Sequence, residues 1–323
     1  MDGFFRVVEM QTLKWPVVVL TVLLLAWPGR ATPAGPAAGL APEVKQVLDR
    51  LFGGDFSGAA AAARQMATQQ PSDPLPVLLE AEARWWSIYC EASSIQWGMV
   101  DAWKRSRQPA DDAYLALTRR AITLADAPGS GLAPARAHLY AGLGYALQAR
   151  LYGLRDERMP TARAGVRARE EFLRALALDP QLADAYTGLG LYNYYVDTLS
   201  PLVKLLRVFL GIPGGSKRDG IRQLRIAMER GELTAVEARF YLAKNLRTYD
   251  HQYAEALTIL TPLLDRYPQN LIFRLLAANL DLELGRREQA KSQLQNVLSG
   301  QMPDAACTRR LQALAQSLLS SAR

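Results

Sequence analysis

The spacing of small and apolar residues near the C-terminal end constrains this chain most. Ala243 and Ala277, Leu246 and Leu280, Ala256 and Ala290, and Leu260 and Leu294 are four pairs, each separated by 34 positions. A fixed period of that length in a helix-forming background means a repeated supersecondary unit, stacked on copies of itself. The background is helix-forming. From Ala41 onward the chain is rich in Ala, Leu, Arg, Glu and Gln, and no stretch alternates apolar and polar residues as a half-buried strand would. Leu173, Leu176 and Ala177 fall on one helical stripe, as do Leu257, Leu260, Leu263 and Leu264. Turn signals separate the runs at Gly53-Gly54-Asp55, Asp179-Pro180, Tyr267-Pro268-Gln269-Asn270 and Gly285-Arg286.

A second set of spacings agrees with the first. Tyr140, Gly142, Leu143 and Gly144 recur as Tyr186, Gly188, Leu189 and Gly190. Ala168, Phe172, Ala175 and Pro180 follow the first copy at intervals of four, three and five. These residues match the pattern of a 34-residue helix–turn–helix, and the chain resembles the tetratricopeptide-repeat superfamily over most of residues 40–300. The physical reason for the pattern is packing: small residues let the two helices approach, and one pair cannot cover its own apolar face, so neighbours stack. The expected fold is all-α, a right-handed α-solenoid of tetratricopeptide-like helix pairs with two inter-helix insertions and a C-terminal capping helix.

The expected domain plan starts with an address. Trp15 to Trp27 is an uncharged apolar run of 13 residues after Lys14, followed by Pro28, Gly29, Arg30 and Ala31. That order reads as a signal peptide over residues 1–31, with Met10 a candidate start; the run is short for a membrane span, and an uncleaved N-terminal anchor is the alternative. Residues 32–42, rich in Pro, Gly and Ala, read as a flexible linker. Residues 43–134 read as degenerate N-terminal helical repeats, with a long helix pair over 74–126. Residues 135–300 read as repeats with insertions near 152–161 and 197–216, and residues 304–321 as the capping helix. The chain is thereby expected to be exported, periplasmic or otherwise outside the cytoplasm, and in contact with the membrane or not.

Residues 186–227 carry a further likeness. Gly188 and Gly190 precede Tyr192; Ser200-Pro201 follow; a Leu-rich stretch ends at Gly211-Ile212; then come Gly214-Gly215, Arg218, Gly220, Leu224 and Ala227. This resembles a segment of the eukaryotic tetratricopeptide-repeat 39 family and its fungal mitochondrial outer-membrane relatives. The resemblance implies an adaptor and transfers no active site. Leu202, Leu205, Leu206, Phe209 and Leu210 would give one helix a broad apolar face, read either as a plug of the inner surface or as a membrane-surface or partner helix. Residues 199–230 hold seven Lys or Arg against Asp219 and Glu229, most of the excess in a chain of net charge +7. Lys204, Arg207, Arg218, Arg222 and Arg225 form the candidate face for an anionic membrane or an acidic partner, with a solvated face as the plain alternative.

The candidate partner groove comprises Tyr192, Asn193, Lys244, Asn245, Arg274 and Asn279. Asn245 and Asn279 are 34 apart, and the superfamily resemblance places both on first helices of successive repeats, which line the concave face. An asparagine there can hold a ligand's backbone, because its amide both donates and accepts. Lys244 and Arg274 could meet a carboxylate. Trp85, Trp86, Tyr89, Trp97 and Trp103 crowd one region; Trp85 and Tyr89 share a helix face and read as core, whereas Trp86 points about 100° away.

Chemistry-bearing patterns are sparse. The chain has two cysteines and two histidines, His138 and His251, too few for a cysteine- or histidine-built metal site. Cys90 and Cys307 lie 217 positions apart, and spacing alone does not decide whether they pair. No nucleophile elbow, zincin helix or P-loop is present. The paired glycines at Gly142 and Gly188 lack the preceding strand and third glycine of a dinucleotide fingerprint. The expectation is a non-enzymatic adaptor without a cofactor that binds a protein or peptide and no nucleic acid. An enzyme built on Tyr192, Tyr195 and Asp197 is the remaining alternative.

Overall fold

The structure, a computed structural model, describes residues 39–128, 131–199, 204, 207–208 and 211–321. The expected signal peptide lies outside the described residues, as do Leu202, Leu205, Leu206, Phe209 and Leu210.

Among the described residues, six antiparallel helix pairs follow one another. They are α1 (Pro42–Phe52) with α2 (Phe56–Gln69), α3 (Pro74–Ala92) with α4 (Ala110–Ala125), α5 (Pro134–Leu154) with α6 (Arg158–Leu178), and α7 (Ala185–Thr198) with α8 (Lys217–Arg230). α9 (Ala235–Asn245) pairs with α10 (Tyr253–Arg266), α11 (Leu271–Glu283) with α12 (Arg287–Ser299), and α13 (Ala305–Ser321) ends the stack. Local chemistry sets the boundaries. Asp55 caps α2 by accepting from the Gly58 amide at 2.9 Å, and Asn270 caps α11 by accepting from Ile272 and Phe273. Pro74 and Pro134 sit in first turns, where no amide is missed.

The 34-residue period does what packing requires. Ala243, Ala277, Leu246, Leu280, Ala256, Ala290, Leu260 and Leu294 are all fully buried. The earlier motif has an equally direct cause. A Cβ on Gly142 would lie 2.7 Å from the Phe172 ring and one on Gly188 1.8 Å from it, so these glycines of α5 and α7 admit the phenylalanine of α6 between them.

Two expectations about the inserts are corrected. Residues 74–126 are not a plain helix pair. A two-stranded antiparallel hairpin, β1 (Ser93–Gln96) and β2 (Met99–Ala102), stands between α3 and α4. Its turn puts Trp97 at φ 51° and Gly98 at φ 80°, positive at both central positions as a type I′ turn requires. The extra residues near 152–161 do not sit between the helices: they lengthen α5 and α6 to 21 residues each, because Ala, Leu and Arg continue a helix readily. Around 197–216, α7 runs to Thr198, and Gly211 adopts φ 65° before α8 begins.

The concave side of the stack is occupied by the chain itself. Fourteen of the 19 residues of α3 are buried, including both Trp85 and Trp86. Trp86 does not turn outward: its ring meets Phe52, Phe56, Phe240 and Phe273. A helix with so wide an apolar surface belongs inside, and α3 lies against α9, α11 and α13 as well as its sequence neighbours. The two ends of the stack therefore touch. Asn270 Nδ2 donates to the Phe52 carbonyl at 2.8 Å, Arg266 pairs with Asp49 at 3.2 Å, and Ser87 reaches Asp304 at 3.4 Å. Cys90 and Cys307 form a disulfide.

Candidate partner-binding groove

α9 and α11 are first helices of successive repeats, and they run parallel: Phe240 meets Phe273, and Arg247 meets Asn279. After Asn245 the helix widens into a π-helical turn, Leu246–Asp250, closed by His251 at φ 54°. The wider turn places Arg247, fully buried, toward the hairpin.

The hairpin lies where a bound peptide would. Val100 is opposite Ile95 in a non-hydrogen-bonded position of the ladder, so its amide and carbonyl face outward. Asn279 uses both ends of its amide there: Oδ1 accepts from the Val100 N–H at 3.3 Å, and Nδ2 donates to the Gly98 carbonyl at 2.9 Å. Arg247 Nη1 donates to the Val100 carbonyl at 2.8 Å and to Asn279 Oδ1 at 3.0 Å. Asp101 supplies the charge. Its Oδ2 meets Lys244 Nζ at 3.1 Å and Arg247 Nη2 at 3.5 Å, while Oδ1 accepts from the Tyr89 hydroxyl at 2.8 Å.

The electrostatics follow from burial with compensation. Burial alone would raise the Asp101 pKa, but Lys244 and Arg247 outweigh it and hold the carboxyl below its ordinary value. Lys244 loses hydration too, yet the Asp101 carboxylate outweighs that loss and keeps its ammonium well above the usual lysine value. Tyr89 is pushed well up, by burial first and then by Asp101. The site holds a carboxylate, two cations and a neutral phenol.

The sequence-derived groove set divides. Lys244 and Asn279 meet across the hairpin. Asn245 is fully buried and faces α7, accepting from the Tyr195 hydroxyl at 3.0 Å. Asn193 turns to α8, donating to Gln223 at 2.8 Å, and Tyr192 donates to the Pro213 carbonyl at 2.8 Å. Arg274 faces α12 and the turn that precedes its own helix, donating to Gln293 and to the Pro268 carbonyl. The sequence does not single out Arg247 or Asp101, and Tyr89, which reads as core, is buried with its hydroxyl on Asp101. The available signal was Trp97-Gly98 as a two-residue turn; tryptophan in the first place hid it, since asparagine or glycine is usual there.

The basic face is largely neutralised. Lys204 pairs with Asp197 at 2.9 Å, Arg222 with Asp219 at 3.0 Å, and Arg225 with Glu255. Arg207 reaches the Ile212 carbonyl at 3.5 Å, and Arg218 is exposed. Tyr192, Tyr195 and Asp197 each serve a different contact: Pro213, Asn245, and Lys204 with the Lys217 amide.

Residues 248–316 match the family model of the tetratricopeptide repeat. That span runs from the π-helical turn through α10, α11 and α12 into α13, and it supports placement in the tetratricopeptide-repeat superfamily. The match lies beyond the 186–227 segment. Repeats of this kind typically act as protein-interaction scaffolds, commonly binding protein or peptide partners, and are typically non-catalytic.

Proposed function

We propose that this chain is a non-enzymatic tetratricopeptide-repeat scaffold, exported to the cell envelope, that holds partner proteins. The observation that carries this reading is the hairpin seat. Asn279, Arg247 and Lys244 grip an extended backbone and a carboxylate, which is what a concave tetratricopeptide face would do to a peptide ligand. A second feature supports a partner surface. Trp97 is 80% exposed at the hairpin tip, edge-on to Trp103 with ring centroids 5.4 Å apart, and exposed tryptophans on rigid supports are frequent interface anchors.

Export rests on the apolar run Trp15 to Trp27 and its small-residue exit. Fusing residues 1–31 to a reporter active only outside the cytoplasm tests it; a silent fusion ends the envelope reading. For the scaffold, a photo-crosslinking residue at Trp97 or Tyr249, both exposed, should capture a discrete protein in intact cells. No adduct from either position overturns the scaffold reading. Retention of the protein on anionic vesicles, lost in the Arg218→Ala/Arg222→Ala variant, would favour a lipid-contacting role over it.

A further inference from the structure

We propose that the seat built by Lys244, Arg247 and Asn279 recognises an extended segment carrying an aspartate, that β2 is its resident occupant, and that the Cys90–Cys307 bond helps keep that occupant in place. The inference rests on the scaffold reading above and names its ligand class.

The contacts separate into two kinds. Asn279, and Arg247 through Nη1, hold backbone groups of the hairpin at Gly98 and Val100, contacts that any extended chain could satisfy. The one side chain these groove residues read is Asp101, whose carboxylate sits between Lys244 and Arg247. Backbone pairing for affinity and a side-chain socket for specificity is the logic of strand recognition. Arg247 Nε is buried with no acceptor among the described residues, so the hairpin leaves one donor of this seat unmet. A buried donor without a partner is costly, and a segment offering one more acceptor would fit the seat better than the hairpin does.

The occupant is tied at its root. Cys90, three residues before β1, is bonded to Cys307, and Arg310 Nε donates to the Ser93 carbonyl at 2.8 Å. On the other side the chain leaves β2 through residues 103–109 before α4 starts at Ala110. The covalent restraint therefore acts on one side of the hairpin only, and removing it lets the strand compete with an incoming segment.

The probe is a fluorescent peptide with the sequence of residues 93–102, alongside the same peptide with Asn in place of Asp101. Anisotropy is read with the wild-type disulfide form, the Cys90→Ala/Cys307→Ala variant, and Val100→Pro, which removes the N–H held by Asn279 and leaves the disulfide intact. The wild type should bind neither peptide. Each folded variant should bind the Asp peptide at least tenfold more tightly than the Asn peptide. Folded variants that bind neither peptide, or both equally, overturn the proposal. Should both variants fail to fold, native-state hydrogen exchange on the wild type decides. Hairpin amides that open before those of α3 and α9 support a displaceable strand, and opening only with global unfolding overturns it. Capture of a protein through Trp97 with no peptide binding would leave the scaffold reading standing and this one refuted.

Discussion

Cys90 in α3 is bonded to Cys307 in α13, joining the second helix pair to the last helix with their Cα atoms 5.7 Å apart. The contacts on either side keep step with it: Ser87 meets Asp304, Cys90 meets Cys307, and Ser93 meets Arg310. Three successive pairs at three-residue intervals mean that the two helices run parallel over that stretch. An open repeat stack transmits stability only between neighbours; this contact adds a long-range closure.

Removing the closure should cost stability more than activity of any local surface. A disulfide that closes a loop of 217 residues constrains the unfolded chain strongly, and typical losses on removal are about 2–4 kcal/mol. The Cys90→Ala/Cys307→Ala variant should unfold at lower urea, with the oxidised wild type shifted likewise by a thiol reductant. An unchanged midpoint would mean that the aromatic core holds the ends together unaided.

The glycine pair around Phe172 makes a sharper packing prediction. The Cβ introduced by Gly188→Ala would lie 1.8 Å from the ring, which Gly142 blocks on its other side. Overpacking of this kind costs about 1–3 kcal/mol, occasionally more. Shortening the ring in Gly188→Ala/Phe172→Leu should recover part of the loss, so the two substitutions should couple in a double-mutant cycle read by thermal or urea unfolding. Simple additivity would show that the contact is not the cause.

These residues also show how far the sequence could be read. The 34-residue pairs and the Gly142 and Gly188 motifs reported local helix packing, because each depends on residues within one or two repeats. The closed hollow was not legible. It depends on most of α3 being buried despite Glu80, Glu82, Arg84 and Glu91, and Trp86 on its own looks like a ring pointing away from the face of Trp85. Nor was the hairpin: Ser93–Ala102 is too short for a period to register, and Trp97 occupies a turn position that it rarely takes. Lys244 and Asn279 were found because the superfamily pattern places them on concave-face helices, whereas Arg247 was missed because a π-helical turn breaks the 3.6-residue count that would have put it beside them.

The hairpin seat should be more sensitive to its arginine than to its asparagine. Arg247→Met removes one of two cations facing buried Asp101 and strips the Val100 carbonyl of its donor. Breaking a buried ion pair on one side costs about 3–5 kcal/mol. Asn279→Ala removes neutral hydrogen bonds, for about 1–3 kcal/mol. Denaturant unfolding of the two variants should rank them in that order, and the reverse order would show that Asp101 is held mainly by Lys244 and Tyr89.

One buried and one largely buried carboxyl should give stability a pH optimum. Glu82 is raised well above the ordinary range, by burial first and then by the neighbouring Glu237, with Arg150 opposing. The folded protein keeps that proton where the unfolded chain, with a pKa of about 4.3, has released it. Its contribution is complete below that value and is lost as pH rises through the folded value. Asp101 behaves oppositely. Its folded pKa is lowered, so its contribution is present above the unfolded value and lost as pH falls through the folded one. Glu82→Gln should flatten the decline on the high-pH side and leave the acid limb, read as urea midpoints between about pH 3 and pH 9. An unaltered high-pH limb would place the proton elsewhere.

Trp97 sets stability against recognition. A bulky side chain at φ 51° is a strained choice, and Asn-Gly is the pairing that a type I′ turn favours most. Trp97→Asn should therefore raise stability, by about 0.5–1 kcal/mol on the scale of compatible turn substitutions. Nothing in the fold demands the tryptophan, since 80% of its surface is exposed and its only ring contact is Trp103 among the described residues. A residue that costs the turn something and leaves its ring in solvent is accounted for if a partner covers it. The same variant should then lose capture of that partner in cells, measured against a wild-type control at equal abundance. A more stable Trp97→Asn protein with undiminished capture would move the interface away from the hairpin tip.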